Sequence, residues 1–275
     1  MIHSDWGEWL PQAVESADSD GLALWYLGCN GFVIRSAGGT TVYIDPYLGT
    51  GDPPRTIRMI PVPFDPTDVT EADAVLATHE HSDHVHEGSQ APILERTGAQ
   101  FYAPDASLDI VESEAWADGR ELETGQFTEV EEGDSFAVGD LRIHVEPAND
   151  PDAEHPVAYV FEHEAGTFVH AGDARPGEFE QTGNRFDVDL AAVAFGTSGM
   201  IPDKQTREPK RTTWYNDENM AVEVATELQT ERLMPTHWDM WKGLTADPTV
   251  LHKHTASFEY PRELEIVEIG DRVDL

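Results

Sequence analysis

Within Thr78-His79-Glu80-His81-Ser82-Asp83-His84, three imidazoles and two carboxylates, Glu80 and Asp83, fall inside six residues. With 12 His in 275 residues, a His-x-His-x-Asp-His run arises by chance in about two of every thousand such chains. Imidazole and carboxylate are ligands that divalent transition metals take, and alternate spacing lets one tight loop present several of them to a pair of ions. The run follows Ala74–Thr78, a short apolar stretch that reads as a buried strand feeding a loop. Three more residues of coordinating type also follow strand-like runs. Asp150 comes after Leu141–Val145, Asp173 after Thr167–His170, and His237 after Arg232–Met234. Asp45 ends Thr41–Ile44 in the same way. Alone, each reads as a turn or capping residue; with the 79–84 run they form a constellation.

The elements that must position these residues are legible in outline. Residues 1–20 suggest a short capping helix or arm. Leu22–Leu27, Phe32–Ser36 and Thr41–Asp45 read as strands, the last two joined through Gly38-Gly39. Residues 49–67, with Pro53, Pro54, Pro61, Pro63 and Pro66, read as a surface loop. Segments 90–97 and 105–116 read as helices. In the second half, Phe136–Val138 pairs with Leu141–Val145 and Val157–Glu162 with Thr167–His170, each across a tight turn. Val188–Phe195 is a buried run, 197–215 a loop, and 217–229 a helix before strand Arg232–Met234. A helix over 248–257 and a strand over 264–269 close the chain. Strands followed by strand–helix alternation, twice over, predict two packed sheets with helices outside, in a single domain spanning 1–275.

Composition bounds the function. The chain carries 53 acidic and 17 basic side chains, a net charge of −36. That charge repels phosphate backbones and argues against a nucleic-acid partner. The acids are spread along the chain, an even coat that concentrated salt would screen, and this reads as a halophilic adaptation. No apolar run is long enough for a membrane span and no leader pattern opens the chain, so no membrane partner is expected. The one cysteine, Cys29, excludes an internal disulfide, suits a cytoplasmic protein, and reads as buried and inert. Arg175, Lys204, Arg207, Lys210, Arg211 and Lys242 lie near motif ends or in 197–215, which points to a small anionic substrate; the bland reading is ion pairing with the abundant acids. Trp214, Tyr215, Trp238 and Trp241 are placed to wall a pocket or to fill core, and Asn30 to face the site.

The order Asp45, His79-x-His81-x-Asp83-His84, Asp150, Asp173, His237 resembles the five motifs of the metallo-β-lactamase superfamily. More narrowly, Trp6-Gly7-Glu8-Trp9-Leu10, Leu27-Gly28-Cys29-Asn30-Gly31, His170-Ala171-Gly172-Asp173 and Pro235 through Trp241 resemble its L-ascorbate-6-phosphate lactonase branch. The resemblance implies an α/β chain folded as an αββα sandwich with two divalent metal ions at the sheet edges. His79, His81 and Asp150 would hold one ion, Asp83, His84 and His237 the other, and Asp173 would bridge them. Asp45 would stand behind, orienting a ligand His. Most members carry His at the third motif; Asp150 in that place hardens the site and tilts it from zinc towards manganese.

The implied reaction is opening of a lactone or related ester, such as a sugar-phosphate lactone, by hydroxide generated at the metals, with Asp83 or Asp173 carrying the proton. Asn30, Arg175, Lys204, Arg207 and Trp238 are the expected substrate contacts. The rival readings are a phosphodiesterase acting on a small phosphodiester and a non-catalytic metal-binding protein on the same scaffold. Association into a homo-oligomer is left open, since no apolar face commits the chain to it.

Overall fold

The computed structural model describes residues 3–202, 206–256 and 258–275. Helix α1 (Trp9–Glu15) leads into an antiparallel meander of β1 (Leu22–Gly28), β2 (Gly31–Ser36) and β3 (Thr41–Ile44). β4 (Ala74–Leu76), α2 (Glu87–Thr97), β5 (Gln100–Ala103), α3 (Asp105–Ser113) and β6 (Phe127–Glu129) extend that sheet with parallel strands.

The second half repeats the plan. β7 (Ser135–Val138), β8 (Leu141–Pro147), β9 (Val157–His163) and β10 (Gly166–His170) run antiparallel. Helix α4 (Glu180–Arg185) then returns the chain to β11 (Leu190–Ala194), parallel to β10. A separate hairpin, β12 (Ser198–Pro202) with β13 (Pro209–Thr213), precedes α5 (Glu218–Glu227) and β14 (Arg232–Thr236). Helix α6 (Leu251–Thr255), β15 (Glu263–Leu264) and β16 (Arg272–Asp274) follow. The sheet orders are β16-β1-β2-β3-β4-β5-β6 and β15-β14-β11-β10-β9-β8-β7. The last strand therefore crosses back to pair with the first.

Period-two alternation explains the layers. Every residue of β1 is buried, yet Leu22, Leu24 and Tyr26 face the other sheet while Ala23, Trp25 and Leu27 face the helices. β11 repeats this, with Leu190 and Ala192 between the sheets and Ala191 and Val193 under α5. The product is the expected αββα sandwich, with one apolar layer between the sheets and one beneath each helical face. Among the described residues no helix is long and apolar enough to cross a membrane.

Several elements depart from the sequence pattern. The expected loop 197–215 contains the β12–β13 hairpin; exposed or half-buried at every described position, its strands carry no apolar alternation to betray them. β5 and β6 are additions, the latter an edge strand of three residues with no apolar run. The strand expected over 264–269 is confined to Glu263–Leu264, and a separate strand forms at Arg272–Asp274. The helix expected over 248–257 is a single 3₁₀ turn, Pro248–Val250, followed by Leu251–Thr255.

One exposed carboxylate fastens the sheets at the end away from the motifs. Asp140, in the β7–β8 turn, accepts hydrogen bonds from Ser36 Oγ (2.5 Å), Thr40 Oγ1 (2.6 Å) and Gly38 N–H (3.1 Å) of the other sheet. Partial burial pushes its carboxyl up, but the two hydroxyls outweigh this and hold it below the ordinary value. Asp140→Ala is expected to cost about 1–2 kcal/mol, read in chemical denaturation at neutral pH. A depressed carboxyl stabilises above its unfolded value of about 3.9, so the difference between variant and parent should shrink as pH falls below that value.

Candidate metal centre

The motif residues collect at one edge of the sandwich. Asp45 follows β3, the His79–His84 loop β4, Asp150 β8, Asp173 β10 and His237 β14, while Cys29 and Asn30 turn β1 into β2. Parallel pairing of β3 with β4, and of β10, β11 and β14, points their C-terminal ends the same way. The two halves are bonded to each other here. Val157 N–H donates to Thr78 O (3.0 Å), Tyr159 OH to Ala77 O (3.0 Å), and His237 N–H to Cys29 O (2.6 Å). Cys29, Asp45, Tyr215 and His237 all have left-handed φ, 59°, 46°, 58° and 64°. Each costs on the order of 1 kcal/mol, so strain is concentrated where the halves meet.

A buried chain of hydrogen bonds decides which way the imidazoles face. Asp45, with no solvent exposure, accepts Thr78 N–H (2.9 Å) on one oxygen and Thr78 Oγ1 (2.8 Å) and His84 Nδ1 (2.8 Å) on the other. Because the Thr78 hydroxyl donates to Asp45, its oxygen accepts from His79 Nδ1 (2.9 Å). His81 Nε2 donates to the Asp152 carbonyl (3.1 Å). Each partner accepts a hydrogen bond from the outer nitrogen, so in the neutral rings the lone pair lies on His79 Nε2, His84 Nε2 and His81 Nδ1, directed inward.

These inward atoms lack donors. His79 Nε2 and His81 Nδ1 stand 2.9 Å apart, lone pair against lone pair. His84 Nε2 and Asp150 Oδ2 are buried without any hydrogen-bond partner. Asp150 Oδ2 is 3.7 Å from His79 Nε2, and Asp173 Oδ2 is 3.5 Å from His84 Nε2 and 3.6 Å from His237 Nε2. Asp83 Oδ2 is 3.4 Å from His237 Nε2. Among the described residues no Lys or Arg is ion-paired with Asp45, Asp83, Asp150 or Asp173. Three compact sets of ligand atoms result among the described residues: His79, His81, Asp150 and Asp173; His84, Asp173 and His237; and Cys29, Asp83 and His237. Divalent cations fit here, since they supply the positive charge and the acceptor-free partner that these atoms lack.

Titration follows the same geometry. Burial would lower His84, but Asp45 and Asp173 beside it hold it well above the usual imidazole value. His237 is likewise raised by Asp173 and Asp83 against the effect of burial. Burial, reinforced by His84, drives His79 down to about 3. Asp173 is depressed, burial notwithstanding, by His237 and His84, whereas Asp150 is raised chiefly by burial.

The expected substrate contacts separate. Arg175 lines a cleft of about 750 Å³ over the cluster, together with Arg55, Lys242, Trp214, Tyr215 and Trp241. Asn30 does not face that cleft. It is fully buried, donates from Nδ2 to Asp173 Oδ1 (3.1 Å) and accepts from Thr236 Oγ1 (2.7 Å), so it holds Asp173. Trp238 packs into the core under the second sheet and donates to Pro235 O (3.1 Å). Arg207 is exposed on the β12–β13 turn and does not line the cleft. Lys204 lies outside the described residues. Sequence reading missed Arg55; of the aromatic residues it left between pocket wall and core, Trp241 donates from Nε1 to Asp83 Oδ2 (3.1 Å) and Tyr215 stacks 3.8 Å from the His237 ring, both lining the cleft.

Residues 40–238 match the sequence profile of the beta-lactamase superfamily domain. A probable L-ascorbate-6-phosphate lactonase of Escherichia fergusonii is 27% identical over 89% of this chain and 77% of its own. Among solved structures, Igni18, a metallo hydrolase of Ignicoccus hospitalis, superposes with a TM-score of 0.64 at 20% identity, covering 92% of this chain and 98% of that one. The diiron beta-hydroxylase CmlA of Streptomyces venezuelae superposes at 0.67 and 14% identity, covering 94% and 55%.

Removing the proton acceptor behind two of the imidazoles tests the cluster. Asp45→Asn is expected to lower metal affinity by about 10–100-fold in a metal titration. For the unaltered protein, a proton must leave His84 and His237 before either can coordinate, and both hold it above the usual value. Affinity should therefore rise with pH through and beyond about 6.5.

Proposed function

Given that this chain belongs to the beta-lactamase superfamily and is a metal-dependent hydrolase of that fold, we propose that it opens the lactone or related ester of a small phosphorylated or otherwise anionic compound. Residues 1–275 would act as a single cytoplasmic domain. The observation that carries this reading is the placement of Arg55, Arg175 and Lys242 around a cleft whose floor is the His/Asp cluster. Five aspartates line the same cleft, and Arg55 faces one of them, Asp52, at 3.6 Å; with Asp83, Asp150 and Asp173 engaged by divalent ions, the three cations would favour an anion there. Arg175 faces an aspartate, Asp152, at 3.8 Å, while Lys242 is ion-paired with no described residue. The probable lactonase relative has a phosphorylated substrate in its name, which agrees with that charge pattern.

In this reading His79, His81 and Asp150 hold one divalent ion, Asp83, His84 and His237 the second, and Asp173 both. Bound there, the ions would acidify a water and polarise the scissile carbonyl. Asn30 ties up Asp173 Oδ1 and leaves Oδ2 facing the imidazoles. Asp83 is the better proton carrier, since its Oδ2 accepts from Trp241 while Oδ1 has no donor among the described residues. Asp83 Oδ1 would take the proton of the attacking water and return it to the leaving oxygen, so no Ser or Cys nucleophile is needed. Trp214, Tyr215 and Trp241 exclude water from one side of the cleft. The even acidic coat is an adaptation to concentrated salt, and assays belong in that medium.

Hydrolysis of a panel of phosphorylated and neutral lactones, with bis-p-nitrophenyl phosphate alongside, separates the substrate classes. Turnover of phosphorylated lactones is expected, and activity confined to the phosphodiester would overturn the proposal. Asp83→Asn should reduce kcat by about 100-fold or more with metal content retained. The double variant Arg175→Ala/Lys242→Ala should raise KM for a phosphorylated lactone by about 10-fold and leave that for its neutral analogue nearly unchanged.

A further inference from the structure

His86 lies two residues beyond His84, at the entry to α2, and lines the cleft together with Tyr47 and Trp241. Its main chain is fixed. The N–H donates to Oε1 of the fully buried Gln90 (3.1 Å), whose Nε2 in turn donates to His84 O (2.7 Å). The ring packs edge-on against Tyr47, with centroids 5.0 Å apart, and Tyr47 lies 5.6 Å from the Trp241 ring.

A buried hydroxyl assigns the proton on that ring. His86 Nδ1 is 2.7 Å from Ser89 Oγ, and Ser89 is fully buried in the first turn of α2. Ser89 Oγ already accepts Leu48 N–H (2.8 Å), and among the described residues His86 Nδ1 is the one acceptor bonded to it. A buried hydroxyl without an acceptor is costly, so it donates to Nδ1 and the ring proton sits on Nε2. Because Nδ1 is turned toward the buried serine, Nε2–H points the other way, toward the cleft, where no described residue accepts it. Tyr47 OH accepts Gly51 N–H (2.9 Å), and its own hydrogen is also without an acceptor among the described residues. One wall of the cleft thus offers two neutral donors, distinct from the cations Arg55, Arg175 and Lys242.

We propose that His86 is a specificity-determining residue whose Nε2–H donates to a hydroxyl oxygen on the uncharged part of the substrate. The proposal rests on the reading that this cleft takes a small anionic lactone. Charged oxygens are drawn to the guanidinium and ammonium groups, which leaves the neutral donors to a neutral oxygen. Trp241, whose Nε1 is already committed to Asp83, supplies a face on which the carbon skeleton lies. The favoured compound is therefore hydroxylated along its carbon skeleton as well as anionic. The competing description is a histidine that only braces the start of α2 through Ser89.

The probes are 6-phosphogluconate, the ring-opened form of a sugar-phosphate lactone, and 6-phosphohexanoate, which has the same charged ends and no hydroxyls. Both are titrated calorimetrically into the zinc-loaded protein. His86→Phe is expected to weaken 6-phosphogluconate by about 5-fold or more and 6-phosphohexanoate by less than about 2-fold. The amide of His86→Gln reaches the position of Nε2 and should restore most of the loss. His86→Asn reaches only that of Nδ1 and should not. Each variant is checked for fold by far-ultraviolet circular dichroism, and a proton–nitrogen correlation spectrum of the parent imidazoles should show His86 as the Nε2–H tautomer. A His86→Phe variant without selective loss, rescue by Asn in place of Gln, or the Nδ1–H tautomer would overturn the role of His86 and leave the lactone reading standing. A parent protein that binds neither compound would overturn both.

Discussion

Two acceptor nitrogens, His79 Nε2 and His81 Nδ1, face each other at 2.9 Å with no proton to share, because each ring has already given its N–H outward. That constraint organises much of the site. Buried acceptors without donors are expensive, and here they are gathered within a few ångströms of three carboxylates. The arrangement is reasonable only around cations. Asp45 controls it from behind, since through Thr78 and directly through His84 it fixes the orientation of two rings while touching no inward atom itself. A single fully buried carboxylate therefore sets the chemistry of a cluster it does not join.

The sandwich makes such a cluster possible by duplicating one plan. Each half supplies an antiparallel meander followed by parallel strands whose C-terminal ends meet at the same edge. The His79–His84 loop and Asp45 come from one half, and Asp150, Asp173 and His237 from the other. Neither half holds a complete ligand set. The bonds between Val157 and Thr78, Tyr159 and Ala77, and His237 and Cys29 close the interface, the last joining two left-handed residues directly. Local strain is sustained because packed sheets on both sides leave no room to relax it.

Fold and chemistry are separable in this architecture. The same sandwich superposes on a metallo hydrolase and on a diiron hydroxylase, so the reading of this chain as a hydrolase of anionic esters rests on its own cleft. In a chain of net charge −36, Arg55, Arg175 and Lys242 bring three of its 17 basic side chains to a cleft that is also lined by aspartates. Long-range charge and short-range recognition thus act on different length scales, and screening by salt removes the first before the second.

What the sequence by itself determined is the part carried by short range. Thr78 through His84 is legible because its ligands are contiguous, and Asp45, Asp150, Asp173 and His237 because each closes an apolar run whose period marks a strand. Short apolar runs bounded by turn residues likewise announce the two sheets. Strands without apolar alternation, such as β12 and β13, are silent, since none of their described side chains is buried. The tertiary structure alone decided the remainder. It turned Asn30 from a substrate contact into the clamp on Asp173, and placed Trp238 in the core. It also brought Cys29 to within 3.4 Å of a histidine 208 residues away. Those outcomes depend on distances between chain segments folded from opposite halves, and a one-dimensional pattern contains spacing along the chain but no separation across it.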